Sequence, residues 1–199
     1  MGSFSHLAAD SVIRLLAALA VVLAAPAVAQ VAADTTTAPP VRPVSESRSS
    51  FSAERLLVPV EGVALADLDD TFAARRSGGR THRAIDILAP RGTPVLAIAD
   101  GEIVRIHTNR LGGNVLYLRS PDGAYDFYYA HLDAYADGLE IGSRVRRGDV
   151  IGTVGATGNA QGAHLHFQVL RLSGRGRGTA VDPYRLLQRS ALYGRGARG

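Results

Sequence analysis

A chain of 199 residues, 46% of them hydrophobic, is long enough for one packed domain and something more. Its net charge of +4 is carried by arginine alone, and the absence of lysine excludes a biotinyl or lipoyl carrier, which bears its cofactor on that residue. The absence of cysteine excludes disulfides and the acylated cysteine of a lipoprotein, so an extracytoplasmic form must be stabilised by its core.

The extra length is at the front. Arg14 ends a polar start, residues 15–25 are apolar, and Ala27-Val28-Ala29 has the small-x-small pattern that a signal peptidase reads. Residues 1–29 are therefore expected to be a signal peptide, cleaved after Ala29. The apolar run is shorter than the ~20 residues of a membrane-spanning helix and contains Pro26, so no integral membrane segment is expected after cleavage. The alternative is an uncleaved inner-membrane anchor. Cleavage removes Arg14 and Asp10, one of each sign, so the exported, periplasmic form keeps a charge of +4 and favours anionic partners.

Residues 30–53, with Pro39, Pro40 and Pro43 and no apolar period, predict a disordered linker. A single domain is expected over 54–190. Residues 56–60 suggest a first strand, and 65–76 a short helix or an ordered loop. Short strands broken by turns follow over 85–88, 95–99, 103–107, 115–118 and 125–131, two more joined by a tight turn over 142–152, and another over 165–170. This pattern predicts a mainly β fold, a sheet or sandwich. Asp182 as N-cap and Pro183 at the first position predict one short C-terminal helix over 184–189. The tail over 191–199 is expected to be mobile. Although arginines and glycines alternate near it, an exported chain is not expected to bind nucleic acid.

His164-Leu165-His166 lies in a predicted strand, where alternate residues share a face and both rings point the same way. Three other histidines remain once His6 leaves with the signal peptide. His82 precedes Asp86 by four residues, and His131 ends Tyr128-Tyr129-Ala130-His131, whereas His107 is read as a surface or edge residue. A catalytic zinc site needs three protein ligands and an open position, and histidines with one carboxylate are a common set that Asp86 can complete. In a straight strand residues i and i+4 lie ~13 Å apart, too far to share an ion, so the chain must bend between His82 and Asp86 or His82 must stand on the preceding loop. By strand period Tyr129 shares the face of His131 and is a candidate for substrate contact, as is Asn114 after Gly112-Gly113.

His82-x-x-x-Asp86, Tyr129-x-His131-Leu132, Gly142-x-x-Val145-x-x-Gly148-Asp149-x-Ile151-Gly152, Gly155-x-Thr157-Gly158 and His164-Leu165-His166-Phe167 together resemble the lysostaphin or LytM type of zinc metallopeptidase. The resemblance implies a twisted, mainly antiparallel sheet with a groove whose floor holds Zn2+. It implies His82, Asp86 and His166 as ligands, and His131 and His164 as the catalytic histidines that move protons and stabilise the oxyanion. It further implies an endopeptidase that cuts the stem-peptide cross-links of peptidoglycan, expected here as a monomer. The alternative is a non-catalytic module of the same type that binds wall or activates another hydrolase. Ala84 stands where the family commonly has glycine. A bend relying on positive φ there would distort His82, although the smallest side chain is expected to be tolerated.

Overall fold

The computed structural model describes residues 56–173 and 178–196, so the expected signal peptide and linker lie outside the described residues. Among the described residues, nine strands form one antiparallel sheet: β1 (Ile85–Leu88), β2 (Pro94–Leu96), β3 (Gly101–Asn109), β4 (Gly113–Arg119), β5 (Tyr125–Tyr135), β6 (Arg144–Val145), β7 (Val150–Val154), β8 (His164–Arg171) and β9 (Thr179–Val181). The main path runs β1-β8-β5-β4-β3-β6, with β9 on β8. The strands β6 and β7 are close in sequence but do not pair with each other. The first pairs with β3, and the second bridges β2 and β5.

The long strand β5 is where the sheet forks. Tyr125 to Ala130 pair with β8, whereas Leu132 and Tyr135 pair with β7. On one face of β1, β5 and β8, the side chains of Ile85, Ile87, Phe127, Tyr129, Leu165 and Phe167 are at most 1% exposed and meet in the core. Burying each such side chain contributes ~1.5 to 3 kcal/mol. In β8 buried and half-buried residues alternate, so His164 and His166 share the opposite face.

The first expected strand is reduced to a single bridge, Val60 with Val95. Pro59 has no N–H to give to a ladder, although its carbonyl accepts from Leu96 N at 3.0 Å. Residues 65–76 form an ordered loop opening with a 3-10 turn, Leu65–Asp67, and no α-helix. The helix α1 spans Pro183–Gly196, past the expected boundary at 190, with Asp182 Oδ1 accepting from Arg185 N at 3.2 Å as a cap. Its Leu187 enters the core, and Ser190 Oγ accepts from Leu56 N at 2.7 Å, tying the start of the domain to its end. Among the described residues, no helix is long and apolar enough to cross a membrane.

Candidate metal centre

Asp86 and His166 are direct cross-strand partners in the β1–β8 ladder, which places carboxylate and imidazole side by side on the face away from the core. His82 comes to them from outside the sheet. It stands on one leg of a small hairpin turning through Ser77–Gly79, closed by Arg76 N to Arg80 O at 2.8 Å and His82 N to Ala74 O at 2.9 Å. The bend is made at Arg83, whose φ is +57°. Ala84 is fully buried and is not among the residues of positive φ, so the missing glycine leaves His82 undistorted.

The three donor atoms form a near-equilateral triangle. His82 Nε2 lies 3.0 Å from Asp86 Oδ1 and 3.1 Å from His166 Nδ1, and His166 Nδ1 lies 3.0 Å from Asp86 Oδ1. A tetrahedral zinc with bonds of ~2.0 to 2.1 Å has ligand atoms ~3.3 Å apart, so this set needs to open by only a few tenths of an ångström to hold the ion. The His82 Nδ1–H donates to the Thr71 carbonyl at 3.0 Å, and since a carbonyl only accepts, the neutral ring presents a bare Nε2 to the cluster. Burial alone would raise the Asp86 carboxyl, but its close contacts with His166 and His82 and the Arg76 guanidinium together hold it well below the usual carboxylate range. Burial pushes the His166 imidazole below its ordinary value against the pull of Asp86. An ionised carboxylate beside neutral imidazoles is the protonation state a metal requires. Arg76 Nη2 also donates to Asp86 Oδ2 and lies 2.8 Å from His82 Nε2.

His131 and His164 stand beside this set, ring centroids 4.8 Å apart. His131 Nδ1–H donates to Thr157 O at 2.8 Å and His164 Nδ1–H to Gly162 O at 2.9 Å. Each ring, with Nδ1 so engaged, turns its Nε2 towards the groove, that of His164 at 3.7 Å from Asp86 Oδ1. Burial lowers the His131 pKa, as do the nearby His164 and His166, against the Thr157 carbonyl and Asp86, so the ring stays neutral at pH 7.

Two expected substrate contacts are corrected. His131 adopts φ +62°, and the β4–β5 register slips by one residue between Asn114 and Leu116. This bulge reverses the alternation along β5. Tyr129 is consequently fully buried, its hydroxyl accepting from Ile98 N at 3.0 Å, and Tyr128 joins His131 in the groove lining. Asn114 is absent from that lining. Its Nδ2 donates to the carbonyls of Leu132 and Asp133, both at 3.2 Å, and its Oδ1 accepts from Thr108 Oγ1 at 2.9 Å, so it fastens the fork. His107 lies in β3 opposite Val115 of β4, half-buried and stacked on Tyr117 with centroids 6.2 Å apart.

The groove over the cluster encloses about 700 Å³, within the range of ligand sites. Strand period favoured Tyr129 over Tyr128, and sequence reasoning missed Arg76 and the three orienting carbonyls of Thr71, Thr157 and Gly162. Tyr128 was hidden by the bulge. A main-chain carbonyl leaves no mark in residue type, so no signal could have found the other three.

Similarity to known proteins falls on the same residues. The profile of Peptidase family M23 matches residues 80–183. The glycyl-glycine endopeptidase ALE-1 of Staphylococcus capitis is 41% identical over 117 residues, 58% of this chain and 31% of that one. The peptidoglycan DD-endopeptidase ShyC of Vibrio cholerae is 38% identical over 91 residues, 46% of this chain and 20% of that one. This chain thus spans about a third or less of the length of these two curated relatives. Among solved structures, the catalytic domain of lysostaphin from Staphylococcus simulans superposes with a TM-score of 0.51 at 37% identity, covering 56% of this chain and 82% of that one. The profile match takes in more than half of the 199 residues, including all five histidine and aspartate positions of the cluster, and the chain belongs to Peptidase family M23.

Proposed function

We infer that this chain is a zinc-dependent endopeptidase that hydrolyses peptide cross-links of peptidoglycan, exported by its first 29 residues and working in the periplasm. The observation that carries the reading is the convergence of His82 Nε2, Asp86 Oδ1 and His166 Nδ1 on one point at the floor of a groove, with two further imidazoles beside it. The relatives whose names specify wall endopeptidases support the substrate class.

Two neutral imidazoles and one carboxylate would hold Zn2+ with a net +1 charge, and the ion would supply Lewis acidity for the scissile carbonyl and for the attacking water. The chain's own residues do the rest. His131 and His164 each offer a bare Nε2, and their Nδ1–H groups are anchored to carbonyls, so a proton taken from water at one Nε2 is held on an oriented ring and can pass to the leaving amine as the C–N bond breaks. Tyr128 lines the groove and stays protonated, its pKa pushed up to about 12 by burial first and by Tyr117 second against a hydrogen bond with Asn109, so its hydroxyl keeps a proton to donate. Two histidines at this spacing serve proton transfer better than a purely structural role, which would leave both Nε2 atoms without purpose.

Digestion of purified peptidoglycan by the zinc-loaded full chain, read by mass spectrometry, tests the proposal. Cross-linked muropeptides should be opened, and the His166→Ala protein should leave them intact. Equal product profiles, or a protein without stoichiometric zinc, would favour the non-catalytic module instead.

A further inference from the structure

The charge of the groove is one-sided. The hairpin that delivers His82 also carries Arg75 and Arg76 on its first leg and Arg80 on its second, and all three exposed arginines line the groove. Among the described residues of the lining, the only carboxylate is Asp86, which belongs to the ligand triangle. The opposite wall, Asn159 to Ala163 with Leu111, carries no charge. A peptide lying across the cluster therefore has a cationic wall on one side and a neutral one on the other.

Building on the endopeptidase reading, we propose that Arg75, Arg76 and Arg80 form a carboxylate-binding wall that selects peptides with free carboxylates next to the scissile bond over neutral bridges or amidated peptides. Guanidinium suits this role, because its planar fork of N–H donors matches a carboxylate bidentately and keeps its charge at every working pH. Arg76 is the innermost of the three. In this structure it donates to Asp86 Oδ2, and it would lose much of that hold were Asp86 to share its charge with a bound cation, which would leave the fork to a carboxylate of the peptide. Arg80 faces Arg76 across the same hairpin and Arg75 faces Thr81, and both line the groove, extending the wall to residues flanking the cleaved bond. The wall is tied to the cluster by the chain itself, so a peptide seated on the arginines lies within one hairpin of His82.

The test compares two synthetic cross-linked stem-peptide dimers of the same sequence, one with free α-carboxylates and one with carboxamides in their place. Both are given to the zinc-loaded full chain, with kcat/KM measured for cleavage and affinity by calorimetry. The wild type should prefer the free acid by about tenfold, or about 1.4 kcal/mol. The preference should shrink as salt is raised, because the pairs are solvent-exposed. The R75Q/R80Q protein, with zinc content and circular dichroism unchanged, should bring the two dimers to within about twofold. Equal treatment of the two dimers by the wild type overturns the proposal without any variant, as does a preference that survives in R75Q/R80Q. Tighter binding of the free acid with neither dimer cut would sink the endopeptidase reading and support the wall. Cleavage of both dimers at equal rates would do the reverse, and failure to bind or cut either would overturn both.

Discussion

Gly113→Ala separates the two halves of the site. Gly113 has φ +63°, and an added Cβ would stand 2.1 Å from Thr157 Oγ1, 2.4 Å from the Thr157 carbonyl carbon and 2.6 Å from Gly158 N. Left-handed backbone costs an alanine ~1 to 2 kcal/mol. The clash adds ~1 to 3 kcal/mol, since two of the three atoms are backbone and cannot rotate away. A total near 3 kcal/mol lowers the melting temperature by roughly 10 °C in a domain of this size. The strand or the loop must give way, which draws the Thr157 carbonyl off His131 Nδ1, now 2.8 Å away. A displacement of ~1 Å in such a positioned group costs about 100-fold in rate. Zinc stoichiometry should not change, because the ligand triangle rests on β1, β8 and the 74–82 hairpin. Gly123→Ala is the control: its φ is +70°, but nothing lies within 4 Å of the added Cβ, so only the backbone term applies. Thermal melts, metal content and kcat/KM on a cross-linked muropeptide decide the matter. A Gly113→Ala protein that melts with the Gly123→Ala protein and keeps its kcat/KM would refute the claim that the Thr157 loop positions His131.

His166→Ala should abolish stoichiometric zinc, whereas His164→Ala should keep zinc and lower kcat by ~10² to 10⁴; loss of metal in both would remove the division of roles, and the measurement is elemental analysis beside kcat. With zinc saturating, the acid limb of kcat should have its midpoint below the ordinary histidine value of ~6.5, because burial holds His131 neutral. The sign for stability is the same: the unfolded ring takes a proton near 6.5 and the folded ring only at lower pH, so the neutral ring's contribution is complete above ~6.5 and is lost as pH falls through the folded value. A limb centred above 6.5 would contradict this. Tyr128→Phe should lower kcat/KM by about tenfold or more at unchanged stability. Tyr129→Phe should instead cost ~1 to 2 kcal/mol on denaturation, through the lost bond to Ile98 N, with kcat/KM per folded molecule intact; the reverse pattern would restore Tyr129 to the groove.

The sequence by itself determined the antiparallel sheet, the shared face of His164 and His166, and the helix cap at Asp182, because each is written in local periodicity or in a residue type with one strong local preference. Its ordered motifs also carried the resemblance to a metallopeptidase. The tertiary structure alone decided that the bend beside His82 falls at Arg83, that β7 leaves its sequence neighbour to join β5, and that a bulge at His131 turns Tyr129 inward and Tyr128 outward. It also decided which nitrogen each histidine presents, by setting the carbonyls of Thr71, Thr157 and Gly162 against Nδ1 of three different rings. For the bulge, the fork and the Thr157 carbonyl the physical reason is the same. Period and propensity act over a few residues, whereas bulges, forks and carbonyl positions are set by pairing between segments tens of residues apart, and a one-residue slip in such pairing changes the face of every side chain beyond it.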